Sequence, residues 1–182
     1  MWTRVRRMTM TKVMYLHGLE GEPNGVKGSY CQTHYNAVAP QMPATLESLM
    51  RSRKDCVKEC YQIAKEAVLS HKPDLIIGSS FGGGITMALM QNNVHKGKAI
   101  LLAPAGVKYG LPTLIPQGNR VVIIHDPTDD IVPFKDSVRI YGDNILDGGD
   151  VKIIKTDGGH RLINLTTDGL LDLVVLSLSE DQ

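Results

Sequence analysis

Short aliphatic runs alternate with longer stretches whose apolar residues recur at three- and four-residue steps, and the alternation continues to the end of the chain. Val13–Leu16 is the first run and closes on His17-Gly18. Residues 36–42, with Ala37, Val38 and Ala39 and stopped by Pro40 and Pro43, read as a second strand. The others are residues 74–77, Lys98–Leu102, Arg120–His125 and residues 151–154. Between them the spacing predicts helices over Val26–Tyr35, residues 45–70, 85–91, 134–141 and 167–178. The strongest is 45–70, where Leu46, Leu49, Met50, Val57, Cys60, Tyr61, Ala64 and Val68 share a face.

Strands this uniformly aliphatic have both faces covered, so the pattern predicts an α/β three-layer sandwich with a mostly parallel sheet of about six strands. The connection over residues 104–118 carries Gly106, Gly110, Pro112 and Pro116, which leaves no room for a long helix. No repeat, linker or low-complexity segment divides the chain. Its 182 residues suit a single domain, 1–182, with residues 1–11 expected to be a flexible tail.

Charge changes this picture little. The formal net charge is +1, which lacks the basic excess of a nucleic-acid binder. No run approaches the roughly 20 apolar residues of a membrane span, and the amino end lacks the apolar stretch of a signal peptide. Cys31, Cys56 and Cys60 form neither a disulfide framework nor a zinc pattern, and read as reduced thiols. The expectation is therefore a cytoplasmic protein with no cofactor, metal, nucleic-acid or membrane partner; its oligomeric state is left open.

The chemistry begins at Gly78-Ser79-Ser80-Phe81-Gly82. This matches G-x-S-x-G, and it follows an aliphatic strand and opens a helix, the context that gives the pattern its meaning. A serine swung to the top of a sheet needs a strained backbone and small residues two positions to either side; only Ser80 has both glycines. A phosphate loop would require Gly-Lys-Ser/Thr, which is absent. Phe81, directly after the serine, and Leu19, in the loop after the first strand, supply the two backbone N–H groups that an oxyanion hole needs.

A serine nucleophile needs a base and an orienting acid. His160, in the loop after the last strand, can reach across the carboxyl edge of the sheet. His34, His71 and His95 fall in helical or connecting segments, His125 ends a strand as a weaker rival, and His17 is expected to buttress its loop. The acid should follow the fifth strand, where Asp126, Asp129 and Asp130 compete.

Tyr15-Leu-His-Gly-Leu19, Gly78-Ser-Ser-Phe-Gly82, Asp129-x-x-Val-Pro133 and Gly159-His160 occur in the order used by the α/β-hydrolase superfamily. The short length and His-Gly-Leu-Glu-Gly-Glu-Pro resemble its small lidless bacterial esterases of the YqiA type. The resemblance implies an α/β-hydrolase fold without a cap domain. It also assigns the acid to Asp129, completing a triad of Ser80, Asp129 and His160. It implies hydrolysis of carboxylic esters of small or flexible acyl groups through an acyl-enzyme. The same triad would serve a thioesterase, a peptidase or a carbon–carbon bond hydrolase, and a non-catalytic binding module on this fold is the alternative of a different class. Tyr109, Leu111, Leu114 and Ile115 are candidates for one wall of the site or for cover over the sheet edge.

Overall fold

The computed structural model describes residues 11–180. Apart from Thr11, the tail expected over residues 1–11 lies outside them. Among the described residues five parallel strands lie in the order β1 (Val13–Leu16), β2 (Leu75–Ser79), β3 (Lys98–Leu102), β4 (Arg120–His125) and β5 (Asp150–Lys155). Every residue of β1 and β2 is buried. That is why these runs lack the polar alternation of a half-exposed sheet.

Among the described residues six α-helices cover the sheet: α1 (Val26–Tyr35), α2 (Leu46–Arg51), α3 (Arg53–His71), α4 (Phe81–Gln91), α5 (Phe134–Leu146) and α6 (Leu170–Glu180). Alternate strand residues point to opposite faces. Val13, Tyr15, Leu75, Ile77, Ile100 and Leu102 pack with Cys31 of α1 and with Leu171 and Val174 of α6. On the other face, Met14, Leu16 and Ile76 meet Cys56, Cys60 and Ala64 of α3 and Ile85 of α4. Beyond them, Ala99, Leu101, Val121 and Ile123 pack against Met87 and Met90 of α4 and Ile140 of α5. Burial of these side chains contributes about 1.5–3 kcal/mol each against leaving them in water.

The sixth strand expected over residues 36–42 is reduced to one parallel bridge between Val38 and Met14. Val38 accepts from Tyr15 N–H at 2.8 Å and donates to the Val13 carbonyl at 3.0 Å. Asn36 turns left-handed just before it (φ 51°), and Pro40, which has no N–H, follows two residues later. The chain therefore leaves β1 to one side, touches the sheet at Val38, and returns through α2 and α3 to β2 on the other side of β1. This reversal makes the carboxyl ends of β1 and β2 a topological switch point, where open α/β sheets bind ligands.

The helix expected over residues 45–70 breaks at Ser52, which is extended (φ −157°, ψ 102°). Ser52 Oγ accepts from Asp55 N–H at 3.3 Å, so a serine cap begins α3 where continuous periodicity predicted no interruption. Residues 104–118 hold only a one-turn 3-10 helix, Val107–Tyr109, and no lid.

Two glycines give opposite tests of this packing. A Cβ on Gly28 would lie 1.9 Å from the Pro23 carbonyl oxygen, whereas one on Gly142, inside α5, would meet nothing within 4 Å. In urea melts, Gly142→Ala is expected to raise stability by about 0.5–1 kcal/mol and Gly28→Ala to lower it by about 1–3 kcal/mol.

Candidate active site

Ser80 stands alone between β2 and α4, with φ 52° and ψ −113°. A serine in such a conformation costs about 1–3 kcal/mol, so the surroundings must enforce it. Ser80 N–H donates to the Leu102 carbonyl at 2.8 Å, while its own carbonyl accepts from Ala105 N–H at 2.9 Å and Gly84 N–H at 3.1 Å. Gly82 lies so close to the end of β1 that a Cβ would fall 2.2 Å from the Leu16 carbonyl oxygen. A Cβ on Gly78 would fall 2.4 Å from Thr86 Oγ1 and 2.7 Å from the Gly82 carbonyl oxygen. The two glycines are required by close approach of backbone to backbone across the turn.

The structure brings Ser80, His160 and Asp129 into one line. His160 Nε2 lies 2.9 Å from Ser80 Oγ, and His160 Nδ1 lies 2.7 Å from Asp129 Oδ2. Asp129 is held on both oxygens. Its Oδ1 accepts from Ile131 N–H at 2.8 Å and Val132 N–H at 2.9 Å. Its Oδ2 also accepts from His125 Nε2 at 2.9 Å. Burial alone would raise the Asp129 pKa. The hydrogen bond from His160, the N–H groups of Val132 and Ile131, and the His160 charge outweigh that and hold it below the ordinary aspartate value.

The other candidates fall into supporting places. His125 is fully buried behind Asp129, away from Ser80; its Nε2 also meets the Val132 carbonyl at 3.1 Å. Nε2 must therefore carry the proton, and Nδ1 accepts from the Ser137 hydroxyl of α5 at 2.7 Å. Asp126 braces the base's loop. Its Oδ2 accepts from Gly159 N–H at 2.6 Å, and its Oδ1 accepts from the N–H and hydroxyl of Thr128, each at 2.7 Å. Those bonds hold its pKa below the ordinary value, the Thr128 N–H contributing most. Asp130 is exposed at the rim. Turn chemistry alone did not distinguish these roles, because three aspartates within five residues all suit a turn; the resemblance singled out Asp129.

His17 clamps the loop that carries Leu19. Its Nδ1–H donates to the Gly18 carbonyl at 2.9 Å, and its Nε2 accepts from Met42 N–H at 3.0 Å. Burial lowers its pKa, which suits this neutral ring. Gly18 packs directly on the nucleophile, where a Cβ would sit 3.2 Å from Ser80 Cβ. Phe81 is the first residue of α4, so its N–H has no partner one turn earlier in the helix.

Two cavities meet at Ser80, of about 310 Å³ and about 830 Å³, and share Leu19, Ser80, His160 and Arg161. The smaller runs between the β1 loop and the start of α1; the larger is bordered by Leu46, Leu49, Arg53, Tyr109 and Ile131. A third, of about 860 Å³, continues outward between α2, α3 and α4 through Leu49, Arg53 and Tyr109. Of the four candidates for a wall of the site or for cover over the sheet edge, Tyr109 borders the larger cavity at Ser80. Ile115 is buried against α4 and α5, and Leu114 is half exposed. Lys27 and Arg161, which the sequence did not single out, line the smaller cavity.

The depressed pKa of Asp126 carries a pH signature. Its folded pKa lies below the unfolded one, so its stabilisation is present above the unfolded value near pH 4 and is lost as pH falls through the folded value. Asp126→Asn is expected to lower the urea midpoint at pH 7. The gap from the wild type should close progressively below about pH 4. A gap that does not narrow on acidification would mean that the carboxylate charge is not what stabilises the turn.

Comparisons with known proteins agree with this geometry on the fold. A protein of the alpha/beta superfamily from Xanthomonas campestris pv. campestris, solved as a candidate hydrolase, is 19% identical, with a TM-score of 0.70 over 92% of this chain and 98% of that one. MGS-M1, an alpha/beta hydrolase enzyme from a Medee basin deep-sea metagenome library, is 18% identical, with a TM-score of 0.62 over 97% and 86%. The esterase Est2 of the Planctomycetes species Thermogutta terrifontis, solved with propionate bound, is 18% identical, with a TM-score of 0.69 over 98% and 87%. No curated protein matches the chain in sequence. Among the described residues no helix is long and apolar enough to cross a membrane. The model of the uncharacterised protein family UPF0227 matches residues 12–111, a span that takes in Leu19, Ser80 and Phe81 and ends before Asp129 and His160. The chain thus belongs to the uncharacterised family UPF0227 and has the α/β-hydrolase fold.

Proposed function

We propose that the protein is a serine hydrolase that cleaves carboxylic esters of small or flexible acyl groups. One observation carries this reading: the unbroken hydrogen-bonded line from Ser80 Oγ through both nitrogens of His160 to Asp129 Oδ2. His160 Nε2 takes the Ser80 proton as Oγ attacks the ester carbonyl, and the tetrahedral oxyanion is met by the N–H groups of Leu19 and Phe81. The imidazolium then protonates the departing alcohol, leaving an acyl-Ser80 ester. Water, deprotonated by the same imidazole, attacks that ester and releases the acid. Asp129 stays ionised throughout, fixing the Nδ1–H tautomer and stabilising the imidazolium.

Openness of the site supports this substrate class. No helical lid covers residues 104–118, and the larger cavity passes from Ser80 to Tyr109 without a cap. The propionate bound to the Thermogutta esterase is a short carboxylate, the kind of product such a site would release. Cys31, Cys56 and Cys60 are buried free thiols, which supports a reducing, cytoplasmic setting.

A fluorophosphonate probe is expected to label the protein at Ser80, read by peptide mass spectrometry; labelling that survives Ser80→Ala would overturn the assignment. His160→Ala should lower kcat on a short-chain aryl ester by about 10⁴-fold or more while the fold persists by circular dichroism. His125→Leu removes one donor from Asp129 and is expected to cut kcat about tenfold or more, with His125→Gln, which keeps an N–H near the Nε2 position, retaining most of the rate.

A further inference from the structure

The smaller cavity contains a charge that the hydrolysis above does not use. Lys27 lies in the first turn of α1 and faces the same cavity as Ser80, His160 and Arg161. Its Nζ donates to the Arg161 carbonyl oxygen. Among the described residues no carboxylate stands within ion-pair distance of either Lys27 or Arg161. Glu22, the one acidic residue lining the cavity among the described residues, is exposed at its rim. Asp172 of α6 accepts instead from the hydroxyls of Tyr30 and Tyr35.

Lys27, largely withdrawn from water and without a carboxylate partner among the described residues, is costly unless an anion joins it, and Arg161, exposed beside it, adds a second positive charge. The neighbouring groups do not supply that anion. Burial pushes the Cys31 thiol up to about 12 and raises the Tyr15 phenol, so both are neutral. Burial also pushes Lys27 down to about 8, with the Arg161 charge pressing the same way and Cys31 opposing, which still leaves it mostly charged at pH 7. The start of α1 adds to the field: Gly25 makes no side-chain cap, and the first turn carries no acidic residue.

We propose that this cavity is a carboxylate-binding subsite for the acyl half of the substrate, in which Lys27 and Arg161 hold the distal carboxylate of a dicarboxylic acid monoester. The proposal rests on the serine-hydrolase reading. Size and charge choose the ligand. About 310 Å³ is room for roughly ten water-sized groups, enough for an acyl chain of a few carbons and its terminal carboxylate. Lys27, Arg161 and Glu22 sum to one positive charge, matching a monoanion and not a dianionic phosphate. The carbonyl to be attacked lies at Ser80, where this cavity meets the larger one, so the alcohol leaves through the larger.

The test compares 4-nitrophenyl monoadipate with 4-nitrophenyl hexanoate, which matches it in chain length but lacks the charge. The monoadipate is expected to show about tenfold or higher kcat/KM, shrinking as salt rises. Lys27→Gln, which keeps a donor for the Arg161 carbonyl and removes the charge, should bring the ratio towards one. An equal or lower kcat/KM for the monoadipate, or a preference that persists in Lys27→Gln, overturns the proposal. A second arm needs no turnover: free adipate should raise the Tm of the Ser80→Ala protein more than hexanoate does, and lose that advantage when Lys27→Gln is added. Adipate binding without hydrolysis of either ester would sink the hydrolase reading and leave the subsite standing. Hydrolysis with no adipate effect in either arm would sink the subsite alone.

Discussion

The site is organised around one buried anion. Asp129 Oδ1 is held by the N–H groups of Ile131 and Val132, and Oδ2 is shared between His160 and His125. A carboxylate without water is tolerated only when its lone pairs are met, and here four donors converge on it. Two of them come from its own turn, one from the end of β4, and one from the loop after β5. The same bonds that keep the group ionised therefore tie the two carboxyl-terminal strand ends together. The orientation of His160 towards Ser80 is a consequence of that arrangement.

The opposite side of the site stores strain. Ser80 is forced into an unfavourable backbone conformation by the sheet on one side and by α4 on the other, with the end of β1 pressed against Gly82. Because the chain reverses at β1, the loop carrying Leu19 and the turn carrying Ser80 sit side by side at the switch point. His17, bonded to Gly18 and to Met42, then fixes that loop against the segment that replaces a sixth strand. The residues that look peripheral in the chain thus set the shape of the space above the serine.

Much of this was legible in the chain. The strand-turn-helix context of Ser80 follows from local sequence, since only glycine permits the approach that the turn demands and the flanking aliphatic run allows nothing but a buried strand. Five of the six expected strands form, and Val26–Tyr35 matches its expected helix end to end. The misreadings have local causes too. Ser52 interrupts a helix because its hydroxyl can capture a backbone N–H, a choice that periodicity of apolar residues does not register. The strand at 36–42 shrinks to one bridge because Asn36 and Pro40 flank it. Of the four residues of the 104–118 connection that suit either a wall of the site or cover over the sheet edge, Tyr109 borders the site and Ile115 turns inward to the core.

By itself the sequence determined the layered α/β architecture and the position of the serine on its turn, since each depends on residues within a few positions of one another, and the order of serine, aspartates and histidine is read directly along the chain. The resemblance singled out Asp129 as the partner of His160; that Asp126 instead holds Gly159, that His125 backs Asp129, and that Lys27 shares a cavity with Ser80 were decided only by tertiary structure. Apart from the His125–Asp129 contact, which spans four residues, those outcomes turn on distances of a few ångströms between segments 31 to 134 residues apart in the chain, and no local periodicity encodes such a distance.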